Sequence, residues 1–250
     1  MFTHSCRRSA IATRAVAVCI GLMITAMIPV AQAQSGNPNP QVFPLNSQPF
    51  GNTYNEWSAR WWQWALSIPV ATNPVLDETG ANCAEGQSGP VWFLAGSFFG
   101  GTFERTCSIP PGKALFLPIV NAAFGAAVGD CDPTNPGVPC DVPVLRQAAK
   151  ESMDPVIIEA SIDGVPLRDL IDYRVQSPVF SVSLPEGNVP AFFGFPAPSG
   201  TYEPMVSDGY WLMFTPLSAG AHTIHFKNSI TGGPFAGTET EVTYHLTVGQ

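Results

Sequence analysis

The segment WSARWWQWALSIP, residues 57–69, holds four of the six tryptophans in this 250-residue chain. Thr53 and Glu56 stand just before it with the spacing of a capping box, in which each side chain satisfies the backbone N–H of the other residue. Pro69 ends the pattern, because the residue before a proline avoids the helical conformation. The segment therefore predicts a helix over 54–67.

One face of this helix is aromatic. Five residues recur at spacings of three and four and form a single stripe: Tyr54, Trp57, Trp61, Trp64 and Ile68. Such a stripe is typical of a helix that docks on a sheet, where burial of the indoles stabilises the contact. Trp62 lies to one side of the stripe, so it is the tryptophan of this helix most available to a ligand. A carbohydrate platform is the alternative interpretation of the tryptophans.

From residue 89 onward, the hydrophobic pattern changes to a period of two. Turn signals separate eight predicted strands: 91–96, 101–109, 114–121, 156–164, 178–184, 210–217, 222–228 and 241–248. One other helix is expected over 145–153, after Asp141 as its cap. Because helices do not alternate with the strands, the sequence predicts a mainly β fold over 51–250. We expect an antiparallel β-sandwich or jelly roll with an N-terminal amphipathic helix and one short central helix.

The first 33 residues have the pattern of a signal peptide. Three arginines precede an apolar run at 15–28, and the small-residue motif of a cleavage site follows at 31–33. The run is about 14 residues long, short of the roughly 20 that a membrane-spanning helix needs. We expect a secreted or periplasmic protein that has an extended leader over 34–50 and no transmembrane segment after cleavage. The general secretory and twin-arginine routes both stay open.

Net charge argues against one class of partner. The formal charge of the chain is −8, and loss of the three arginines in residues 1–33 would leave −11. An acidic chain repels phosphate backbones, so we expect no nucleic-acid partner.

Four cysteines remain outside the predicted signal peptide, and they permit three disulfide pairings. We favour Cys83 with Cys107 and Cys131 with Cys140, because each pair brackets a compact unit. A crosslink at the second pair would stabilise the fold by roughly 2 to 3 kcal/mol in the chain-entropy model. Zinc is the alternative, but the C-x2-C spacing of zinc sites does not occur.

Two sets of side chains are candidate metal ligands. If the last two strands form a hairpin centred near Phe235, His225 faces His245, and the pair could share zinc or copper. Asp130 and Asp132 flank the predicted Cys131–Cys140 loop, where carboxylates could bind calcium. The alternative readings are solvent-facing histidines and aspartates that stabilise turns.

A further candidate is the segment AFFGFPAPSGTYEP, residues 191–204. Phe192, Phe193 and Phe195 stand among glycines and prolines without a periodic pattern, so we expect this phenylalanine segment to be one long loop. They either pack over the open end of the sandwich or form a ligand-binding lip or partner surface.

Six motifs together resemble a family of uncharacterised exported bacterial proteins, and they span most of the chain after residue 33: WSARWWQWALSIP, GPVWFLAG, CSIPPGKALFLPIVN, DGYWLMFTPLSAG, HTIHF and VTYHLTV. The resemblance implies no catalytic residue. It does imply that the chain is unlike familiar hydrolases and proteases.

These features together favour a binding or structural role over catalysis. We expect a non-catalytic binding protein or a structural component of the envelope, with a polysaccharide or a protein as the partner. The first alternative is a hydrolase or binding module for envelope polysaccharide. Glu104, Glu159 and Asp208 could then supply an acid and base pair. The second alternative is a metal-binding module that uses His225 and His245.

Overall fold

The computed structural model describes residues 37–249, so the signal peptide predicted for residues 1–33 lies outside the described residues. Helices and strands within the described part follow in this order: α1 (Tyr54–Ser67), β1 (Val91–Phe93), β2 (Gly101–Ile109), β3 (Ala114–Gly125), α2 (Val142–Glu151), β4 (Val156–Ile162), β5 (Val165–Pro166), β6 (Arg174–Gln176), β7 (Phe180–Leu184), α3 (Val189–Phe192), β8 (Gly200–Phe214), β9 (Gly220–Ile230) and β10 (Glu239–Val248).

The strands form two sheets that share one hydrophobic core. The first sheet has the order β1-β3-β8-β6, with β7 also paired to β8, and the second has the order β2-β10-β9-β4-β5. The predicted mainly β fold is therefore confirmed, and its arrangement is that of a β-sandwich. Both sheets are mixed, because β1 pairs with β3 and β2 pairs with β10 in parallel. The alternating pattern of the sequence is the same in either direction, so it did not indicate these two pairings.

Several strand boundaries differ from the sequence-based prediction. The strand expected over 210–217 is the last part of the long strand β8, which begins at Gly200. The strand expected over 91–96 ends at Phe93. The phenylalanine segment, which we expected to be one long loop, contains the short helix α3 and the start of β8.

Helix α1 has the predicted bounds and the predicted cap. Thr53 Oγ1 accepts a hydrogen bond from Glu56 N at 3.3 Å, and Glu56 Oε2 accepts one from Thr53 N at 2.7 Å. All five residues of the stripe are buried. The Trp61 ring packs edge-on against Trp211 of β8, with 5.5 Å between ring centroids. The tryptophan stripe is therefore part of the core, as its spacing predicted.

The segment before α1 packs against the same core. Val42 forms an isolated bridge with Phe214, and its side chain is buried. The Tyr54 hydroxyl donates to the carbonyl of Phe43 at 2.6 Å. The part of the predicted leader that is described, residues 37–50, thus packs against the end of β8.

Both predicted disulfides are present, Cys83–Cys107 and Cys131–Cys140. The second closes the loop before α2, whose N-cap is Asp141 as predicted. The helix starts directly after this cap and ends at Glu151, two residues before the end of the range 145–153 expected to continue it. None of the helices described for residues 37–249 combines the length and hydropathy needed to span a membrane.

Candidate functional site

A cavity of about 350 Å³ is lined by residues of both sheets. Its volume falls at the lower end of the range of about 300–1,000 Å³ typical of small-molecule pockets. Helix α1 contributes Trp62 and Leu66, strand β3 contributes residues 118–124, and strand β9 contributes Phe226 and Asn228. The remaining wall comes from the segment after β1, from α3 and its following turn, and from the β9–β10 connection with the start of β10. Val128 and Asp130, which follow β3, and Met153, which follows α2, complete it. The site therefore exists only after the two sheets and the helix have packed together.

A buried asparagine fixes the phenylalanine segment beside the cavity. Asn188 Oδ1 accepts a hydrogen bond from Ala191 N at 2.9 Å and so caps α3. Its Nδ2 donates to the carbonyls of Pro185 and Ala197 at 3.0 and 2.9 Å. Because the amide connects both ends of this turn, it places Phe193 at the cavity.

Aromatic rings form a continuous wall. Trp62 stacks on Phe98, with ring centroids 5.8 Å apart and planes inclined by 22°. Phe193 contacts Phe98 edge-on at 5.8 Å and Phe99 at 5.2 Å. Phe192 does not line the cavity but packs edge-on against Phe193 at 5.4 Å.

The mouth of the cavity carries four exposed phenylalanines, which we call the phenylalanine rim: Phe99, Phe193, Phe195 and Phe235. They are 47, 37, 40 and 44% exposed, respectively. Large apolar side chains that cluster in an exposed patch mark interaction sites, whereas scattered ones do not. The rim is therefore a candidate interaction surface.

Few polar groups line the cavity. Among the lining residues, Asp130 is the only one with an ionisable side chain. Partial burial raises the pKa of its carboxyl, against the lowering effect of the hydrogen bond from Gly125 N. Two buried N–H groups, Trp62 Nε1 and Asn121 Nδ2, have no hydrogen-bond partner in the described part of the chain.

The cavity thus unites three of the four predicted ligand-binding residues, Trp62, Phe193 and Phe195. Phe98, Phe99, Asn121 and Phe235 also line the cavity and were not predicted from the sequence. Phe98 and Phe99 had a detectable signal, since they form an aromatic pair before two glycines, much like the phenylalanine segment. Asn121 had none, because its position in a long apolar strand does not reveal which cavity the strand borders.

The histidines do not meet as predicted. Strand β9 places His225 opposite Thr243 and His245 opposite Thr223, so the expected His225–His245 pairing is wrong. The hairpin is centred one residue earlier than Phe235, and this moves every cross-strand partner by two positions while preserving its face. His225 Nε2 instead lies 2.9 Å from Glu241 Oε1, and His245 Nε2 lies 2.6 Å from Glu104 Oε2.

The two aspartates proposed for calcium make separate turn contacts. Asp130 Oδ2 accepts from Gly125 N at 2.9 Å, and Asp132 Oδ1 accepts from Thr134 N at 2.8 Å. Across residues 37–249, no group of three or more His, Cys, Asp or Glu side chains is arranged to hold a metal ion.

The three carboxylates considered for hydrolysis have separate partners, and none lines the cavity. Asp208 is buried and accepts from Arg174 Nε at 2.7 Å. Glu104 contacts His245, as described above. Glu159 of β4 lies opposite Lys227 of β9.

A Ser-His-Asp arrangement that the sequence analysis missed lies at the start of β9. His222 Nδ1 is 2.8 Å from Asp163 Oδ2, and His222 Nε2 is 3.2 Å from Ser218 Oγ. The same Nε2 is 3.0 Å from the carbonyl oxygen of Ser218, to which it can only donate. An Nε2 that donates a proton there does not act as a base toward the hydroxyl. The arrangement therefore holds the turn before β9.

Comparison of the chain with models of protein families, with curated proteins and with solved structures gives no match. The geometry of the site therefore carries the functional argument.

Proposed function

We propose that this protein is an exported binding protein that holds a small, largely apolar molecule in the cavity between its sheets. The observation that carries the proposal is the combination of the aromatic wall with the phenylalanine rim at its mouth. Each exposed ring leaves apolar area in contact with water, and a bound apolar molecule would remove that area from water. The export part of the proposal rests on the predicted signal peptide and on two disulfides, which form in oxidising compartments.

The lining of the cavity favours an apolar molecule over a polysaccharide. Sugar hydroxyls that leave water need hydrogen-bond partners, and each one left without a partner carries a desolvation cost. Most of the lining side chains are aliphatic or aromatic and offer no such partner.

The lining also favours binding over hydrolysis. No histidine, cysteine, lysine or arginine lines the cavity, so Asp130 is the one ionisable group near its serine and threonine hydroxyls. Asp130 Oδ2 already accepts a hydrogen bond from Gly125 N. Glycoside hydrolysis needs two carboxyl groups about 5 to 10 Å apart, whereas Asp130 is the single carboxyl at this site.

Uptake of the neutral fluorescent probe N-phenyl-1-naphthylamine by the exported protein tests the proposal. We expect saturable binding, with energy transfer from tryptophan to the probe. Ala123→Trp places an indole at the cavity wall and should weaken binding by about tenfold or more. Ala221→Trp, on an exposed part of β9 away from the cavity, should leave binding unchanged.

Absence of saturable uptake by the wild type, or unaltered uptake by Ala123→Trp, would contradict the proposal. Near-ultraviolet circular dichroism checks that Ala123→Trp is folded. If it is not, Phe235→Ser serves instead, because this exposed rim residue can be replaced without a core defect. It should weaken uptake through loss of apolar contact.

A further inference from the structure

The four indole N–H groups of α1 differ in whether they have a hydrogen-bond acceptor. Three of them donate to backbone carbonyls: Trp57 to Pro49 at 3.0 Å, Trp61 to Leu94 at 3.0 Å and Trp64 to Glu85 at 2.9 Å. Trp62 Nε1 is buried and has no acceptor among residues 37–249, and Trp62 is the only one of the four that lines the cavity. The Trp62 side chain is only 5% exposed, so bulk water does not readily supply an acceptor.

A second donor lines the same cavity from a different element. Asn121 belongs to β3, and its Nδ2 is also buried without an acceptor in the described part of the chain. The other asparagine at the cavity, Asn228, differs because its Nδ2 donates to the carbonyl of Ile119 at 2.8 Å. A buried donor that is left unpaired is costly, so an acceptor delivered by a ligand would be favoured at this position.

From these two donors, we propose that the cavity selects ligands that carry an uncharged oxygen acceptor, such as a ketone, ester or amide carbonyl, on an apolar body. Trp62 Nε1 and Asn121 Nδ2 donate to that oxygen. This inference rests on the proposed function, since it names the class of molecule that the same cavity takes.

The Asp130 carboxylate disfavours an anionic ligand, and the two N–H donors disfavour a cationic one. An anionic head would share the cavity with the Asp130 carboxylate and meet a like charge. A cation would be attracted by Asp130, but it would face two N–H donors and would leave both unpaired. An uncharged acceptor meets neither penalty.

Competition between two molecules of the same shape tests the inference. 2-Acetylnaphthalene and 2-isopropenylnaphthalene differ by a carbonyl oxygen in place of a methylene group, and each is used to displace N-phenyl-1-naphthylamine. We expect the ketone to bind the wild type about tenfold more tightly than the hydrocarbon, since the hydrogen bonds are its only added contact. The anion 2-naphthoate should bind more weakly than the ketone.

Two substitutions remove the donors while keeping an apolar side chain, Trp62→Phe and Asn121→Leu. Each should reduce the preference for the ketone about threefold or more, while the affinity for the hydrocarbon changes by no more than about twofold. Trp92→Phe is the matched control, because it removes another buried and unpartnered indole N–H that does not line the cavity. The Trp92→Phe variant should prefer the ketone over the hydrocarbon by the same factor as the wild type.

The outcomes separate the two proposals. Equal affinity of the wild type for the ketone and the hydrocarbon would overturn the donor assignment and leave apolar binding intact. The same holds if the preference survives both substitutions, and tighter binding of naphthoate would overturn the choice of an uncharged head. If neither naphthalene nor the probe binds, the proposed function itself fails.

Discussion

Single polar side chains hold the turns between strands. Asp163 stands between β4 and β5 with φ of 51°, a left-handed conformation that aspartate tolerates better than most residues. Its Oδ1 accepts from Thr223 N at 2.8 Å, and its Oδ2 contacts His222. The hydrogen bond to Asp163 raises the pKa of His222 against a small effect of burial. Burial acts to raise the pKa of Asp163, but its hydrogen bonds with His222 and Thr223 outweigh burial and lower it.

This ion pair should make stability depend on pH. A histidine with a raised pKa contributes stability that is fully present below its unfolded value of 6.5 and is lost as pH rises through the folded pKa. Asp163 loses its contribution only in acid, as pH falls below its unfolded value of 3.8 through the lower folded pKa. The pair therefore stabilises the fold most between these two unfolded values.

His222→Gln tests this expectation at the residue scale. The difference in the free energy of unfolding between wild type and variant should be about 0.5 kcal/mol larger at about pH 5.5 than at about pH 8.5, as for an ion pair that solvent partly screens at the surface. Urea unfolding followed by tryptophan fluorescence measures it at both pH values. A difference that is the same at both would show that protonation of His222 is not involved.

Between elements, one tyrosine connects the second sheet to the segment that follows β1. The Tyr244 hydroxyl of β10 donates to the carbonyl of Ala95, 3.0 Å away, and accepts from Ala95 N at 3.1 Å. It also accepts from Arg105 Nη1 at 3.0 Å. Arg105 is buried, and no carboxylate in residues 37–249 lies within ion-pair distance of it. Carbonyl groups and aromatic faces therefore surround this guanidinium, among them the Phe103 ring at 5.4 Å.

Tyr244→Phe should destabilise the protein by about 1 to 3 kcal/mol, because Ala95 N and Arg105 would lose a buried acceptor. Tyr202→Phe is the control, since its hydroxyl bonds to Pro198 at an exposed site and its loss should cost no more than about 0.5 kcal/mol. Chemical denaturation measures both variants. Equal losses of unfolding free energy in the two variants would mean that the buried Tyr244 hydroxyl adds no more stability than an exposed one.

Prediction of individual elements succeeded where the signals are local. The capping box, the stripe and Pro69 all lie within one segment, so the bounds of α1 were predicted correctly. The β9–β10 register was not predicted correctly. Residues 231–238 connect the two strands without a two-residue turn motif that would fix the cross-strand partners. A shift by two positions keeps the same face buried, so the hydrophobic pattern did not distinguish the two registers.

For the whole molecule, the two disulfides stabilise different regions. Cys83–Cys107 belongs to the main core, whereas Cys131 packs with Ala126, Leu145 and Val206 in a smaller cluster. The sequence separations are 24 and 9 residues, and a longer closed loop restricts the unfolded chain more.

Replacing both cysteines of one pair by alanine should cost about 3 kcal/mol, with the larger loss for Cys83→Ala/Cys107→Ala. Urea unfolding of the two double variants under identical conditions gives the comparison. A larger loss for Cys131→Ala/Cys140→Ala would show that loop length does not set the order.

Local sequence signals were enough to predict the mainly β class and the two helices, and they favoured the disulfide pairs that the structure contains. These depend on periodicity, caps and spacing, which act over short stretches of chain. The packed fold was needed to show that Trp62, Asn121 and the phenylalanine rim meet at one cavity, and that His225 and His245 pair with separate carboxylates. The physical reason is that a cavity is the space left between packed elements, so its lining depends on sheet order and register, which local patterns do not specify.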